Sequence, residues 1–321
     1  MDSTDTRQMA PRRLDVRSLV LLFASICPAW TLHGSVHADI VTSNIYGIDD
    51  VNNIWQVTLS GTGNSLNRVF LTGLAGTANS NAFAYDTVRD EMFFMNSGTN
   101  STPTLYYWNR QSAVAPVATK AQLGNLASLP ANAAYYDDAF WFFSEGTSSL
   151  NKVSFNYSAN VPSFASLTTY TVSGIPSPGS DNSFGDIAIN TTNGVLYAAS
   201  TTGLFYSVPL GTLVSSGSAT ATVLKSQGTG NPSLQIAFSA DYNTLYATNY
   251  AGGAWYTMDV TNGSLTTITG FTTQLSGVNG FRDLGGSSFV AVPEPSAFAS
   301  IIAALATLGL AVARGRRSRS G

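Results

Sequence analysis

The sequence predicts an all-β fold, a five-bladed β-propeller set between two export segments, and three observations predict it. Of the 321 residues, 44% are hydrophobic and 11% aromatic while only 10% are charged, well below the usual quarter. Hydroxyls and amides over an aromatic, β-branched interior suit an extracellular β-domain and argue against disorder. One strand–turn–strand unit recurs as AFAYDTVRDEMFFMN (82–96), DIAINTTNGVLYAAS (186–200) and AFSADYNTLYATN (237–249), and with a shortened turn as AAYYDDAFWFFSEG (133–146). The first strands begin near Asn81, Asn132, Ser183 and Ser233, a period of about 50 residues that suits one four-stranded blade.

The elements follow in chain order. Arg12, Arg13 and Arg17 precede an apolar run from Ser18 to Trp30, the charge and length pattern of a signal peptide. Small residues at Val36 and Ala38 place cleavage between Ala38 and Asp39, so residues 1–38 are expected to be removed. The body, 39–290, then supplies SNIYGID, NIWQVTL and RVFLTG, three strands lacking an innermost one. Each complete blade adds a third strand (TLYYWNR, SLNKVSF, GLFYSVP, GAWYTMD) and a fourth (APVATK, LTTYTVS, ATVLKS, LTTITGF). Near the end, GVNGFRDL (277–284) is a first strand without a blade. The simplest reading puts it with the three N-terminal strands, which closes the ring and removes exposed sheet edges; four or six blades would also accommodate the pattern. The hairpin AFSADYNTLYATN resembles the signature of bacterial propellers of the NHL, YVTN and lactonase-like groups, which implies a fold and no particular activity.

Charge and residue content limit the chemistry. Residues 39–292 hold seven Lys+Arg against fourteen Asp+Glu, a net charge of −7, so nucleic acid is not an expected partner. Cys27, His33 and His37 are the only cysteine and histidines, and all precede Ala38. The mature body therefore has no thiol nucleophile, histidine base, disulfide or His-containing zinc site. Carboxylates remain. Asp86, Asp137, Asp138, Asp186 and Asp241 lie near first hairpins, where Asp shapes turns; the alternative is acids converging on the central channel for hydrolysis or lysis. The only glutamates of the body, Glu91 and Glu145, fall in no recognisable motif. Three oxygen-rich loops (47–53, 135–140, 179–186) could hold a structural calcium ion but lack EF-hand spacing, so no cofactor and no metal site is expected. Dense aromatics, including Tyr106–Trp108, Tyr135–Tyr136, Trp141–Phe143, Phe205–Tyr206 and Trp255–Tyr256, are expected to pack between blades, with a sugar-stacking surface as the alternative. Alternation places Tyr107 opposite Tyr106 and Trp108.

The tail, 291–321, carries Pro293-Glu294-Pro295, a charge-free stretch 297–313, and Arg314, Arg316, Arg317 and Arg319. Seventeen uncharged residues are the lower limit for a membrane helix, and the arginines form a stop-transfer signal that leaves the body outside the inner membrane. Triplet, helix and basic end together resemble the PEP-CTERM sorting domain. The resemblance implies that Pro293, Glu294 and Pro295 are recognised by exosortase, a membrane transpeptidase, and that the host is a Gram-negative bacterium of the kind that makes exopolysaccharide. The expectation is an exported, non-enzymatic protein with no catalytic residues, anchored as a precursor and then sorted to the cell surface or matrix, binding exopolysaccharide or a protein partner through a propeller face.

Overall fold

A computed structural model describes residues 43 to 289 apart from 50–52, 60–64, 71–79, 97–102, 111–116, 120–129, 178–184, 226–232, 251–252 and 273–279. The expected signal peptide with its Ala38–Asp39 junction, the triplet Pro293–Pro295, the helix 297–313 and the arginines 314–319 lie outside the described residues. Among the described residues, no helix is long and apolar enough to cross a membrane.

Among the described residues, twenty-one strands form five sheets, each running outward from the axis. β1 (Ser43–Asp49), β2 (Ile54–Leu59) and β3 (Ser65–Phe70) belong to blade 1. Blade 2 is β4 (Ser80–Asp86), β5 (Glu91–Asn96), β6 (Leu105–Asn109) and β7 (Val117–Thr119). Blade 3 is β8 (Pro130–Tyr136), β9 (Ala139–Ser144), β10 (Ser149–Ser158) and β11 (Val161–Ser173). Blade 4 is β12 (Asp186–Asn190), β13 (Val195–Ala199), β14 (Phe205–Pro209) and, after the short helix α1 (Leu210–Ser216) and β15 (Ser218–Thr220), β16 (Thr222–Lys225). Blade 5 is β17 (Leu234–Phe238), β18 (Leu245–Asn249), β19 (Ala254–Met258) and β20 (Leu265–Thr272). The last strand, β21 (Phe281–Phe289), pairs antiparallel with β1 as the innermost strand of blade 1. The five-bladed ring and its shared closing blade are thus as the sequence predicts.

The hairpins form where their turn residues permit. Asp137 and Asp138 both adopt positive φ, 53° and 52°, the two-residue turn whose twist matches the flanking strands. Ala159 and Asn160 do the same between β10 and β11. That hairpin is longer than the sequence suggests: β9 pairs with β10 only from Leu150 to Ser154, so Phe155–Ser158 and Val161–Phe164 continue as a two-stranded ribbon. β15 adds parallel to the outer edge of β11, a fifth strand the sequence did not reveal.

The core consists of five apolar clusters, one at each junction between blades. Phe93, Phe140, Phe142 and Phe155 fill the junction of blades 2 and 3. Trp141 and Tyr206 lie between 3 and 4, and Trp255 and Phe281 between 5 and 1. Tyr107 packs toward blade 3 while Tyr106 and Trp108 pack toward blade 1, as alternation requires.

Candidate functional site

The inner strands β4, β8, β12, β17 and β21 are the ones that position a site. Near its start each carries a buried polar side chain: Asn81, Asn132, Asp186, Gln235 and Asp283. The positions are equivalent in register, Asp186 opposite Ala199, Gln235 opposite Thr248, Asn132 opposite Phe143 and Asn81 opposite Met95. An innermost strand has no further neighbour, so its inward N–H groups need another acceptor. Two carboxylates supply it. Asp186 accepts the N–H groups of Ile187 (2.7 Å), Ile236 (2.7 Å) and Leu284 (3.2 Å). Asp283 accepts those of Phe83 (2.6 Å) and Ala133 (3.2 Å). Every blade therefore donates one N–H to the pair. Phe83 takes the place of Ala82 because β4 is bulged there, with Ala82 at φ 53°.

Both carboxyls are fully buried, and Asp283 Oδ1 has no hydrogen-bond partner. Burial drives both upward against the N–H groups that favour the anion: Asp186 is pushed up to about 7, and Asp283, which also meets the charge of Asp186, well above the carboxylate range. The expectation that Asp186 shapes a turn is corrected here: it opens β12 on the axis, five residues before the turn it was assigned to.

A narrow channel holds a cavity of about 30 Å³ bounded by Ile187, Ile236, Leu284 and Phe238, the first three of which donate their N–H groups to Asp186; it has room for little more than a water molecule. The channel widens at the first turns of the blades into a funnel of about 260 Å³, walled by Tyr85, Tyr135, Tyr136 and Tyr242 with Thr87 and Thr191, and rimmed by Asp86, Asp137 and Asp138. That is at the small end of ligand pockets, which run from roughly 300 to 1,000 Å³.

One arginine organises the rim. Arg89 Nη1 donates to Asp86 Oδ2 (2.9 Å) and Asp138 Oδ1 (2.7 Å), and its guanidinium lies 3.7 Å from the ring centroid of Tyr157. The Tyr157 and Tyr135 hydroxyls are 2.6 Å apart, which fastens the β10–β11 ribbon to the funnel wall. Asp86 also accepts the Val88 N–H at 2.8 Å, the turn-shaping role expected of it. Tyr85 donates to Asp90 Oδ1 (2.8 Å). Burial, then that bond, moves its phenol far above the ordinary range, and burial with the Tyr157 contact does the same for Tyr135. These phenols are therefore hydrogen-bonding groups at neutral pH and not bases.

Glu91 lies behind the rim, fully buried and cross-strand from Asp86. Burial first, then the Asp86 charge, pushes it up to about 7, opposed by Asn109. Glu145 lies away from the funnel, in the turn after β9. Asp241 is a turn residue, bonded by Ser239 Oγ at 2.6 Å and the Asn243 N–H at 3.1 Å. Of the calcium-type loops, Asp49 is engaged by Asn53 and Trp55. Among the described residues, no three His, Cys, Asp or Glu side chains are placed to hold a metal. The sequence reading missed Asp283, Arg89, Tyr85 and Tyr242. Aligning the five inner strands (NAF, NAA, DIA, QIA, DLG) would have exposed Asp283, since each opens with a polar side chain in an otherwise apolar or small segment.

No family model matches the sequence, and no curated protein matches it. Several solved structures are similar to this chain. An auxiliary nutrient binding protein from Bacteroides thetaiotaomicron is 11% identical, over 79% of this chain and 65% of that one, with a TM-score of 0.45. A protein provisionally named 6-phosphogluconolactonase from Bacteroides fragilis is 14% identical, over 72% and 69%, TM-score 0.39. A luciferin-regenerating enzyme is 15% identical, over 76% and 80%, TM-score 0.40. The chain thus spans less than two thirds of the nutrient binding protein, and likenesses this distant assign no ligand or reaction.

One expectation is corrected at this point, that the body is not an enzyme. The ground for the expectation was too narrow. Lack of Cys and His excludes only thiol and imidazole chemistry, whereas here Asp86, Asp137 and Asp138 meet at one channel mouth.

Proposed function

We propose that the protein is exported and sorted through its Pro293-Glu294-Pro295 tail, and that the funnel binds a neutral or cationic polyhydroxylated ligand such as a segment of exopolysaccharide. The observation that carries this reading is the funnel: tyrosine walls offer ring faces and hydroxyls, and the rim offers carboxylate acceptors. The rim favours neutral over acidic sugars because Asp137 and Asp138 are exposed while the cations beside them, Arg89 and Lys152, are already paired with carboxylates. Export rests on the tail's resemblance to the sorting domain and on the signal-like front end, with an exosortase-type transpeptidase and the inner membrane as the partners so implied. Full-length protein in detergent, passed over immobilised neutral, amino and uronate polysaccharides, tests the binding. Retention is expected on the first two and should weaken about tenfold, or about 1.4 kcal/mol, in Tyr136→Ala; no retention on any polymer would refute it.

A second reading is a carboxylate-dependent hydrolase or lyase at the same funnel. It is favoured by Asp86 and Asp138, whose oxygens bond to one guanidinium nitrogen at 2.9 and 2.7 Å, which brings two carboxyls together at the channel mouth as paired-carboxyl chemistry requires. New reducing ends, or unsaturated ends for a lyase, should appear in retained polysaccharides and vanish in Asp138→Asn. No product from any retained polymer removes this reading and leaves the first standing.

A further inference from the structure

The buried carboxyl pair is used by neither reading, and it gathers backbone N–H groups from all five blades. Five N–H groups, one from each blade, end on two side chains, three on Asp186 and two on Asp283. Asp283 Oδ1 is buried without any hydrogen-bond partner, beside the strand residue Leu284 whose N–H Asp186 accepts, so a proton between the two carboxyls would satisfy it. A cation does not suit this place: the five N–H dipoles point positive ends at the carboxyls, and a metal would have to displace them. A proton does suit it, because it joins the two carboxyls and displaces nothing.

We propose that a proton shared between Asp186 and Asp283 locks the five blades to one another, and that the propeller loosens when this proton is lost. With it, the pair is a single buried anion spread over five donors and one short carboxyl–carboxyl bond. Without it, two anions touch in a site closed to water, where like charges are held apart only weakly by screening. The elements around the pair bring it backbone N–H groups and the neutral amides Asn81, Asn132 and Gln235. The charged side chains on those elements are Asp86, at the far end of β4, and Arg282, next to Asp283 on β21. Burial and the partner carboxyl dominate the pair's own ionisation.

The sign follows from linkage. The folded pair keeps at least one proton that both aspartates have lost in the unfolded chain above the ordinary carboxylate range. Its contribution is therefore complete in acid and declines as pH rises, by up to about tenfold in the folding equilibrium constant per pH unit for one proton. Asp283→Asn is the natural test, since an amide accepts the same N–H groups and donates permanently to Asp186. Denaturant unfolding of the full chain and of Asp283→Asn, from about pH 5 to about pH 9, should give a difference that grows in favour of the variant by up to tenfold per unit. A difference constant across that range overturns the proposal. Should Asp283→Asn fail to fold, infrared spectroscopy of folded protein decides, in a Glu91→Gln background so that Glu91 adds no signal. The carbonyl stretch of a protonated carboxyl is expected at neutral pH and should disappear in Asp186→Asn; its absence in the parent overturns the proposal.

Discussion

Replacing Asp186 by alanine tests the axial hub by subtraction. The substitution removes the only acceptor that the N–H groups of Ile187, Ile236 and Leu284 have on the axis. An orphaned buried N–H costs about 1–3 kcal/mol, so three cost about 3–9 kcal/mol in the same terms. Two effects reduce the loss: a buried charge is removed, and water can enter the space left. A net loss of at least about 3 kcal/mol is expected, a large part of the roughly 5–15 kcal/mol that holds most domains folded. At about 2–4 °C per kcal/mol for a domain of this size class, Tm falls by at least about 6 °C. Asp283→Ala orphans two N–H groups, Phe83 and Ala133, and should cost less.

Tryptophan fluorescence during urea unfolding is a suitable assay because the probes sit at different junctions. Trp108 lies between blades 1 and 2, Trp141 between 3 and 4, and Trp255 between 5 and 1. Asp241→Ala serves as control, since its bonds lie within one surface turn and the loss should stay under about 1 kcal/mol. If Asp186→Ala stays within about 1 kcal/mol of the parent with an unchanged urea slope, the hub argument is wrong.

Three more outcomes follow from individual contacts. Gly285→Ala would set a Cβ 2.5 Å from Phe83 Cδ1 and 2.9 Å from the Ala84 carbonyl carbon, so β4 must shift, at about 1–3 kcal/mol measured by thermal unfolding. Arg89→Met leaves the buried Asp86 carboxylate without its cation and frees the β10–β11 ribbon; stability should fall by about 1–3 kcal/mol, and limited proteolysis should cut first near Ala159. Glu91→Gln mimics the protonated acid. Because folding raises the pKa of Glu91 to about 7, its contribution is full below the ordinary carboxylate range and is lost as pH rises through 7. The variant should match the parent in acid and exceed it in alkali, which pH-dependent unfolding measures.

Much of the architecture was legible because each blade repeats a local signal: an apolar pair, a polar turn, then Leu-Tyr, Phe-Phe or Trp-Phe. Hairpins of that kind need only neighbouring residues to be read. The three features that escaped depend on distant residues or carry weak local signals. β15 is three residues paired in parallel with β11 some 46 positions earlier. α1 is a single short helix with no side-chain cap at Pro209 and a left-handed Gly217 at its end, anchored by Leu210 and Leu213, too few positions to mark a helical period. The ribbon past Ser154 turns at Ala159-Asn160, a dipeptide without the glycine that usually announces such a turn. The funnel was half legible for the same reason. Asp86, Asp137, Asp138 and Tyr135 stood out in their own hairpins, whereas Arg89 acquires meaning only through Asp138, 49 residues away.

The carboxyl pair escaped for a different reason, and that reason accounts for where this charge-poor chain places its acids. A ring of radial sheets turns five strand edges inward, and each edge brings an N–H into a space too narrow for solvent. Serine or asparagine at every blade could answer its own neighbour, and Asn81, Asn132 and Gln235 occupy such positions. A carboxylate is the stronger acceptor and has lone pairs for several donors at once, so two suffice for five blades, provided they share a proton. Asp186 and Asp283 therefore look unremarkable strand by strand and gain their role only when the ring closes. Asp283 also lies on β21, the strand that completes blade 1. The strand that closes the ring thus also brings the acceptor for the N–H groups of Phe83 and Ala133.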